Sequence, residues 1–184
     1  MSAPPKIYCD TCTLVPNVKN CPTELEAVKQ LRKLRRAGKC SLYRSHIALG
    51  ELERTKNRKQ RKRLKADYKL LKGILRDEKL LGIRAVFNQF GMYANAPIFS
   101  DVQDEKVFVD IYHELKRRLP HEDDFRVRRD AEHVAQAISD NSDVFLTRDR
   151  KTIIGPLREW LEQRYLIKVR LPSEALAEIE QEKA

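Results

Sequence analysis

The chain has 184 residues, of which 41% are hydrophobic and 35% charged, and its formal net charge is +10. This length predicts a single domain with a sizeable hydrophobic core. No apolar run approaches the roughly 18 residues of a membrane span and the first residues resemble no signal peptide, so we expect a cytoplasmic protein that binds no membrane. The four cysteines do not suggest a disulfide framework in a chain of this size.

The positive charge is concentrated in residues 54–72, which we call the basic segment. It contains ten Lys and Arg residues and one acid, so its net charge of +9 accounts for almost all of the chain's +10. Such a segment attracts polyanions. We expect eight of its side chains to bind nucleic acid, namely Arg54, Lys56, Arg58, Lys59, Arg61, Lys62, Arg63 and Lys65. The alternatives are a solubilising helix face or an arm that packs against an acidic protein.

Short apolar runs predict strands at residues 6–10, 40–45, 144–146 and 165–171, with a further edge strand possible at 98–99. Amphipathic patterns predict helices between them, including one that contains Glu51 and one that contains Asp130. Alternating strands and helices predict a three-layer α/β/α fold with a mainly parallel sheet of four to five strands. We expect residues 1–184 to form one domain with a helical, strongly basic insertion at about 54–95.

Two acids stand at the carboxyl ends of predicted strands. Asp10 ends the first strand, and Asp149 follows the strand at 144–146 after Thr147 and Arg148. If the order of the strands reverses between these two, both carboxylates flank the crevice in which open α/β sheets bind ligands.

Two further acids share a helix face with apolar residues. Asp130 lies four residues before Val134, and Glu51 lies four residues after Ile47. A core carboxylate without a partner is costly, so it persists most readily when a cation or hydrogen bonds compensate its charge. Taken singly, each acid could instead be a helix cap or a surface residue.

Together the four acids suggest a site for a hard divalent cation, because oxygen ligands favour Mg²⁺ or Mn²⁺ over zinc. Carboxylates that crowd one poorly hydrated pocket repel one another unless metal neutralises them. Carboxylate-held metal beside a basic segment suits phosphodiester hydrolysis, in which metal activates water and stabilises the departing oxygen.

At these residues the chain resembles the PIN-domain nucleases, and in its motifs the VapC-type toxins of bacterial and archaeal toxin–antitoxin pairs. The matching pieces are IYCDT, SHIALGE, DAEHVAQAI and DVFLTRD, and they occur in this order. The resemblance covers roughly residues 6–17, 40–53 and 126–171, and it leaves the stretch between Glu51 and Asp130 unmatched.

The resemblance implies a PIN-like α/β/α fold and an endoribonuclease that depends on Mg²⁺ or Mn²⁺. It implies that Asp10, Glu51, Asp130 and Asp149 are the catalytic, metal-binding acids. It also implies that Thr11 and Thr147 orient carboxylates and water. The partners it implies are RNA, a cognate antitoxin if the protein is a toxin, and a second copy of the chain.

Several residues have two interpretations. Arg148, Arg150 and Lys151 either guide a phosphate to the metals or form a solvated loop. His133 either donates to the site or is a packing residue. Cys9 and Cys12 have zinc-ligand spacing, but buried, inert thiols are the interpretation that we prefer.

Two alternative functions also remain open at this point. One is a PIN-like module that binds nucleic acid without cutting it, and the other is a module whose basic arm docks an acidic protein.

Overall fold

The computed structural model describes residues 3–14, 21–44, 46–53, 56–59, 61–62, 64–65 and 102–181. For Leu14, His46, Leu49, Gly50 and Glu53 it describes the backbone alone. The predicted edge strand at 98–99 and most of the predicted insertion at 54–95 lie outside the described residues, as do Arg54 and Arg63.

Strands and helices alternate along the described chain. In order they are β1 (Lys6–Cys9), α1 (Thr11–Leu14), α2 (Pro22–Arg36), β2 (Ser41–Tyr43), α3 (His46–Glu53), α4 (Val102–Arg118), α5 (Asp124–Ser139), β3 (Val144–Leu146), a π-helical turn (Arg150–Ile154), α6 (Gly155–Tyr165), β4 (Lys168–Arg170) and α7 (Pro172–Gln181). Parts of residues 58–65 are also helical.

The strands form a parallel sheet in the order β2-β1-β3-β4. Ile7 of β1 pairs with Leu42 on one side and with Val144 on the other. From β1 the chain first moves outward to β2 and later returns to β3 on the opposite side of β1. The strand order therefore reverses between β1 and β3. The predicted α/β fold with a parallel sheet is confirmed, and the sheet has four strands within the described residues.

Alternation along the strands gives the sheet two apolar faces. Tyr8, Phe145 and Val169 join one hydrophobic cluster with residues of α4, α5 and α6. Ile7 and Leu146 join a second cluster with residues of α2, α3 and α7. Helices thus pack against both faces of the sheet, in agreement with the expected three-layer arrangement.

The predicted strand at 165–171 is wrong at its beginning, because Tyr165 is the last residue of α6. Leu166 follows it with a φ of 58°, and this left-handed backbone ends the helix before the chain enters β4. The helix that contains Asp130 begins at Asp124, and Asp123 caps it by accepting a hydrogen bond from the backbone N–H of Arg126. No helix in the described ranges is long and apolar enough to cross a membrane.

Candidate active site

Asp10 and Asp149 lie at the carboxyl edge of the sheet. Asp10 directly follows β1, and its backbone N–H donates to the carbonyl oxygen of Leu146, the last residue of β3. Thr147, Arg148 and Asp149 follow Leu146 and lead into the π-helical turn. The strand reversal between β1 and β3 therefore brings the ends of these two strands side by side, as open α/β sheets do at their ligand-binding crevices.

The Thr147 hydroxyl links the two strand ends. Its Oγ1 donates to Asp10 Oδ2 at 2.7 Å and accepts from the backbone N–H of Asp149 at 3.0 Å. Thr147 is fully buried, so this pair of bonds is shielded from water. The predicted orienting contact between Thr147 and a site carboxylate is present in this form.

Cys12 also contacts Asp10. Its thiol donates to Asp10 Oδ2 at 3.0 Å and accepts from the backbone N–H of Arg148 at 3.0 Å. Burial, followed by the charge of Asp10, raises the pKa of Cys12 well above its ordinary value, so the thiol stays protonated and acts as a donor. Cys9 is buried in β1, and burial raises its pKa to about 12. Both cysteines are free, neutral thiols, which fits the interpretation as inert thiols.

Asp149 is held by the turn that follows it. Its Oδ1 accepts from the backbone N–H groups of Lys151 and Thr152 at 2.9 Å each, and its Oδ2 accepts from Arg126 Nη2 at 3.2 Å. Burial opposes ionisation, but the hydrogen bonds from Thr152 and Arg126 outweigh it and lower the pKa of Asp149. The turn also requires glycine at position 155, because a Cβ there would lie 2.9 Å from the carbonyl oxygen of Arg150.

Asp130 projects from α5 toward the same place. Burial, and then the negative charges of Asp10 and Asp149, raise its pKa to about 7. Its Oδ2 atom is buried and has no hydrogen-bond partner within the part of the chain that the structure describes. The charges of Asp10 and Asp149 thus act on Asp130, whose Oδ2 lacks a partner among the described residues.

Glu51 reaches the cluster through His133, one turn along α5 from Asp130. His133 Nε2 lies 3.3 Å from Glu51 Oε2 and 3.1 Å from Thr11 Oγ1, and its Nδ1 lies 3.1 Å from the Tyr8 hydroxyl. The imidazole is 2% exposed, so these three groups surround a buried ring. Glu51 lies on α3 opposite His133, and 27% of its side chain is exposed.

His133 is a buried cation at neutral pH. Burial lowers its pKa, but the charge and hydrogen bond of Glu51, followed by the charges of Asp10 and Asp130, outweigh burial and raise it to about 9. Burial correspondingly works to raise the pKa of Glu51, and the pairing with His133 lowers it below its ordinary value. Of the two interpretations of His133, the contacts favour a group that belongs to the site.

The basic residues beside Asp149 each have a contact. Arg148 Nε donates to the carbonyl oxygen of Cys12 at 2.8 Å, and Arg150 Nη2 lies 3.6 Å from Glu24 Oε1. Lys151 Nζ donates to Glu122 Oε2 at 2.8 Å. In the basic segment, Lys56, Arg58, Lys59 and Lys62 are exposed, while Arg61 and Lys65 are half-buried.

The pattern of the sequence did not identify Arg126 as a site residue. It lies four residues before Asp130 on α5, so both side chains share one helix face, and this spacing is the signal that was available. Its guanidinium pairs with Asp149 and, at 3.0 Å, with Glu122, while 45% of the side chain stays exposed. Arg126 therefore lies at the mouth of the acid cluster.

The residues present fit a divalent cation in their chemistry. A hard cation would satisfy the buried oxygen of Asp130 and offset the negative charges of Asp10 and Asp149 that act on it. As the side chains stand, no three Asp, Glu, His or Cys groups among the described residues are arranged to hold one metal ion together. His133 and Arg126 instead pair with Glu51 and Asp149.

Comparison of the sequence with protein-family models returned no match, and comparisons with curated proteins and with solved structures returned none either. The interpretation of the site therefore depends on its own geometry and on the motifs quoted above.

Proposed function

We propose that this protein is a metal-dependent endoribonuclease with a PIN-like fold, which hydrolyses phosphodiester bonds in RNA. The observation that carries the proposal is the convergence of Asp10, Asp130 and Asp149 at the carboxyl edge of a parallel sheet, with one buried carboxylate oxygen of Asp130 unsatisfied. Without a cation, buried carboxylates in one place destabilise the folded state. Binding of a divalent metal would offset this cost and would account for the cluster.

Mg²⁺ or Mn²⁺ held by Asp10, Glu51, Asp130 and Asp149 would supply an activated water and stabilise the departing oxygen. The chain's own groups prepare the ligands. Thr147 orients the Asp10 carboxylate, and the protonated His133 holds the Glu51 carboxylate. Burial and the charges of Asp10 and Asp149 raise the pKa of Asp130, so its carboxyl retains a proton more readily than that of an ordinary aspartate. This proton must leave before the carboxylate binds a cation.

RNA would approach the mouth of the cluster along positive charge. Arg148, Arg150 and Lys151 lie beside Asp149, and the basic segment adds exposed cations such as Lys59 and Lys62. These side chains carry charge to the phosphate backbone and supply a salt-dependent part of the affinity.

A second candidate is a nucleic-acid-binding module that does not cleave. It is favoured by the two cations that already neutralise part of the cluster, His133 against Glu51 and Arg126 against Asp149. In that protein the acids would form an internal ion-pair network, and RNA binding would depend on salt but not on metal.

The test is cleavage of a 5′-labelled single-stranded RNA by the purified protein. We expect cleavage with Mn²⁺ or Mg²⁺, no cleavage with EDTA, and loss of cleavage in the Asp10→Asn and Asp149→Asn variants. The matched control is Asp124→Asn, because the Asp124 side chain is 61% exposed and pairs with Lys116 and Tyr112 rather than with the site. Undiminished cleavage by the Asp10→Asn variant would contradict the proposal, and metal-independent binding without cleavage would support the second candidate.

The toxin role and its antitoxin are predictions of the resemblance. Expression of the protein in a bacterial host should arrest growth, the Asp10→Asn variant should not, and co-expression of the product of a neighbouring open reading frame should restore growth. Gel filtration of the purified protein tests the predicted homodimer.

A further inference from the structure

A pocket with a volume of about 440 Å³ lies beside Asp149, which is one of its lining residues. Its wall combines residues from four places in the chain. They are Cys12 of α1, Cys21 just before α2, Arg148 and Arg150 around the start of the π-helical turn, and Leu171 just after β4. Asp149 belongs both to this wall and to the acid cluster, so the pocket adjoins the candidate active site at this residue. Its volume lies within the range of about 300–1,000 Å³ that small-molecule sites occupy.

The acids on the wall of the pocket are already compensated. Glu24 is 4% exposed, and its carboxylate accepts from the backbone N–H and the hydroxyl of Ser173 at 2.9 Å each. Ser173 lies in the first turn of α7, where the helix dipole also favours a carboxylate. Asp149 accepts from two backbone N–H groups and from Arg126. Neither carboxylate therefore gives the pocket a strong preference for cations.

Arg150 on the wall retains capacity for a ligand. Its neighbour Arg148 donates to the carbonyl oxygen of Cys12, a contact that orients the Arg148 guanidinium. Arg150 has a side chain that is 65% exposed, and within the described ranges its one ion-pair partner is Glu24 at 3.6 Å. A guanidinium has five N–H donors in a planar fork that matches a phosphate group, so Arg150 has donors to spare. Lys151, with a side chain that is 68% exposed, completes the positive rim.

The remainder of the wall is less polar. Cys12, Cys21 and Leu171 contribute weakly polar or apolar surface, and Leu171 is 4% exposed. A ligand with a partly apolar body and an attached anionic group fits this combination. A nucleotide has this composition, since its base supplies the body and its phosphate supplies the anion.

We propose that this pocket is a subsite for one ribonucleotide of the RNA substrate, next to the bond that is cleaved, with Arg150 contacting its phosphate. The inference rests on the proposed endoribonuclease function and adds to it a place where the substrate is read. Glu24 acts as a positioning residue, because it holds the Arg150 guanidinium at the rim and is itself held by α7. Because Asp149 belongs to both the pocket and the acid cluster, a nucleotide in this subsite would lie next to the acid cluster.

The first experiment measures binding without catalysis. The four ribonucleoside 5′-monophosphates are titrated into the full chain in EDTA, and binding is followed by calorimetry. We expect at least one to bind with a Kd below about 5 mM, and the Arg150→Gln variant to weaken that affinity by about tenfold. The matched control is Arg164→Gln, an arginine on α6 that pairs with Asp110 and does not line the pocket.

A second variant blocks the pocket itself. Cys21 precedes α2 and its side chain makes no capping hydrogen bond, so Cys21→Trp adds bulk at the wall without removing a cap. We expect this variant to lose nucleotide binding. If circular dichroism shows that it does not fold, Arg150→Glu takes its place, because a reversed charge at an exposed position opposes a phosphate without disturbing the core.

The last experiment compares two substrates in Mn²⁺. Arg150→Gln should raise the KM for RNA by about tenfold and alter the choice of cleavage sites, and it should affect hydrolysis of bis(p-nitrophenyl) phosphate, which needs no nucleotide subsite, much less. Arg164→Gln should leave the hydrolysis of both substrates unchanged. Nucleotide affinity that is equal in wild type and both pocket variants, or the absence of binding in wild type, would overturn the subsite. Nucleotide binding by a wild-type protein that hydrolyses neither substrate would instead overturn the proposed nuclease function and leave a nucleotide-binding pocket.

Discussion

At the amino edge of the sheet, Asp143 precedes β3, and its exposed carboxylate accepts a hydrogen bond of 2.7 Å from the backbone N–H of Lys6. At the carboxyl edge, Asp130 has a buried oxygen without a described partner and a pKa raised to about 7. An aspartate therefore stabilises the fold at the amino edge, whereas the aspartate at the carboxyl edge belongs to a cluster whose charges disfavour its ionisation. The difference supports the proposed metal site at the carboxyl edge, because folding alone favours partnered carboxylates.

The largest expected contrast is in activity. Asp130→Asn should reduce RNA cleavage by about a thousandfold or more, since it removes a proposed metal ligand, whereas Asp143→Asn should stay within about twofold of wild type. Labelled-RNA cleavage in Mn²⁺ measures both. Equal activity of the two variants would remove the functional distinction between the edges.

Asp130→Asn should also change stability, in the direction opposite to its effect on activity. The folded pKa of Asp130 lies above its unfolded value, so ionisation between about pH 4 and pH 7 costs folding free energy and the loss is complete above pH 7. Asp130→Asn should therefore raise the free energy of unfolding at pH 8 by about 1–3 kcal/mol, measured by urea denaturation in EDTA. A less stable Asp130→Asn variant would show that the carboxylate is a structural group like that of Asp143.

Metal should stabilise the protein by binding at the carboxyl edge of the sheet and not at the amino edge. At a Mn²⁺ concentration of about 100 times Kd, binding to the native state adds about 2.7 kcal/mol to the free energy of unfolding. We expect this gain in wild type and in Asp143→Asn, and its loss in Asp10→Asn. Thermal denaturation with and without Mn²⁺ makes the measurement, and an equal gain in all three proteins would place the metal elsewhere.

The buried cation of the carboxyl edge predicts a pH dependence. The folded pKa of His133 is about 9, above its unfolded value of about 6.5, so its stabilising contribution is complete below pH 6.5 and is lost as the pH rises through 9. Metal-free wild type should lose about 3 kcal/mol of unfolding free energy across this window. His133→Gln should remove the dependence, whereas His113→Gln, at an exposed position on α4, should retain it.

The smallest expected effect concerns Arg126. Because its exposed guanidinium pairs with Asp149, Arg126→Gln should tighten Mn²⁺ binding by roughly twofold to fivefold and change stability by less than about 0.5 kcal/mol. Calorimetry with Mn²⁺ measures the affinity, with Arg164→Gln as the control. Weaker Mn²⁺ binding would show that Arg126 holds Asp149 in its binding position rather than competing for it.

The fold was largely predictable because its local signals are strong. Short apolar strands such as Val144–Leu146 alternate with amphipathic helices, and this pattern favours a parallel sheet with few alternatives. The error at Tyr165 arose because an apolar run continues from the end of a helix into a strand, and periodicity does not locate such a boundary. The left-handed conformation of Leu166, which makes the boundary, has no clear signal in a leucine.

The candidate site was predictable only in part. Asp10 and Asp149 follow from their places after strands, and their effect on the pKa of Asp130 reflects the proximity that those places suggested. Arg126 was missed because an arginine in the first turn of a helix usually faces solvent. The sequence allows two interpretations of His133, because one turn of spacing from Asp130 does not show which groups lie on the other side of the imidazole ring.

By itself the sequence determined the four strands of the described chain, their alternation with helices and the acids that follow two of them, because these depend on residues near one another in the chain. The tertiary structure alone decided which distant groups meet there. The Thr147 hydroxyl bonds an aspartate 137 residues away, and His133 pairs with a glutamate 82 residues away. Only the order of the strands and the packing of α3 against α5 bring such groups together, and their burial in one place shifts the pKa values that the chemistry would use.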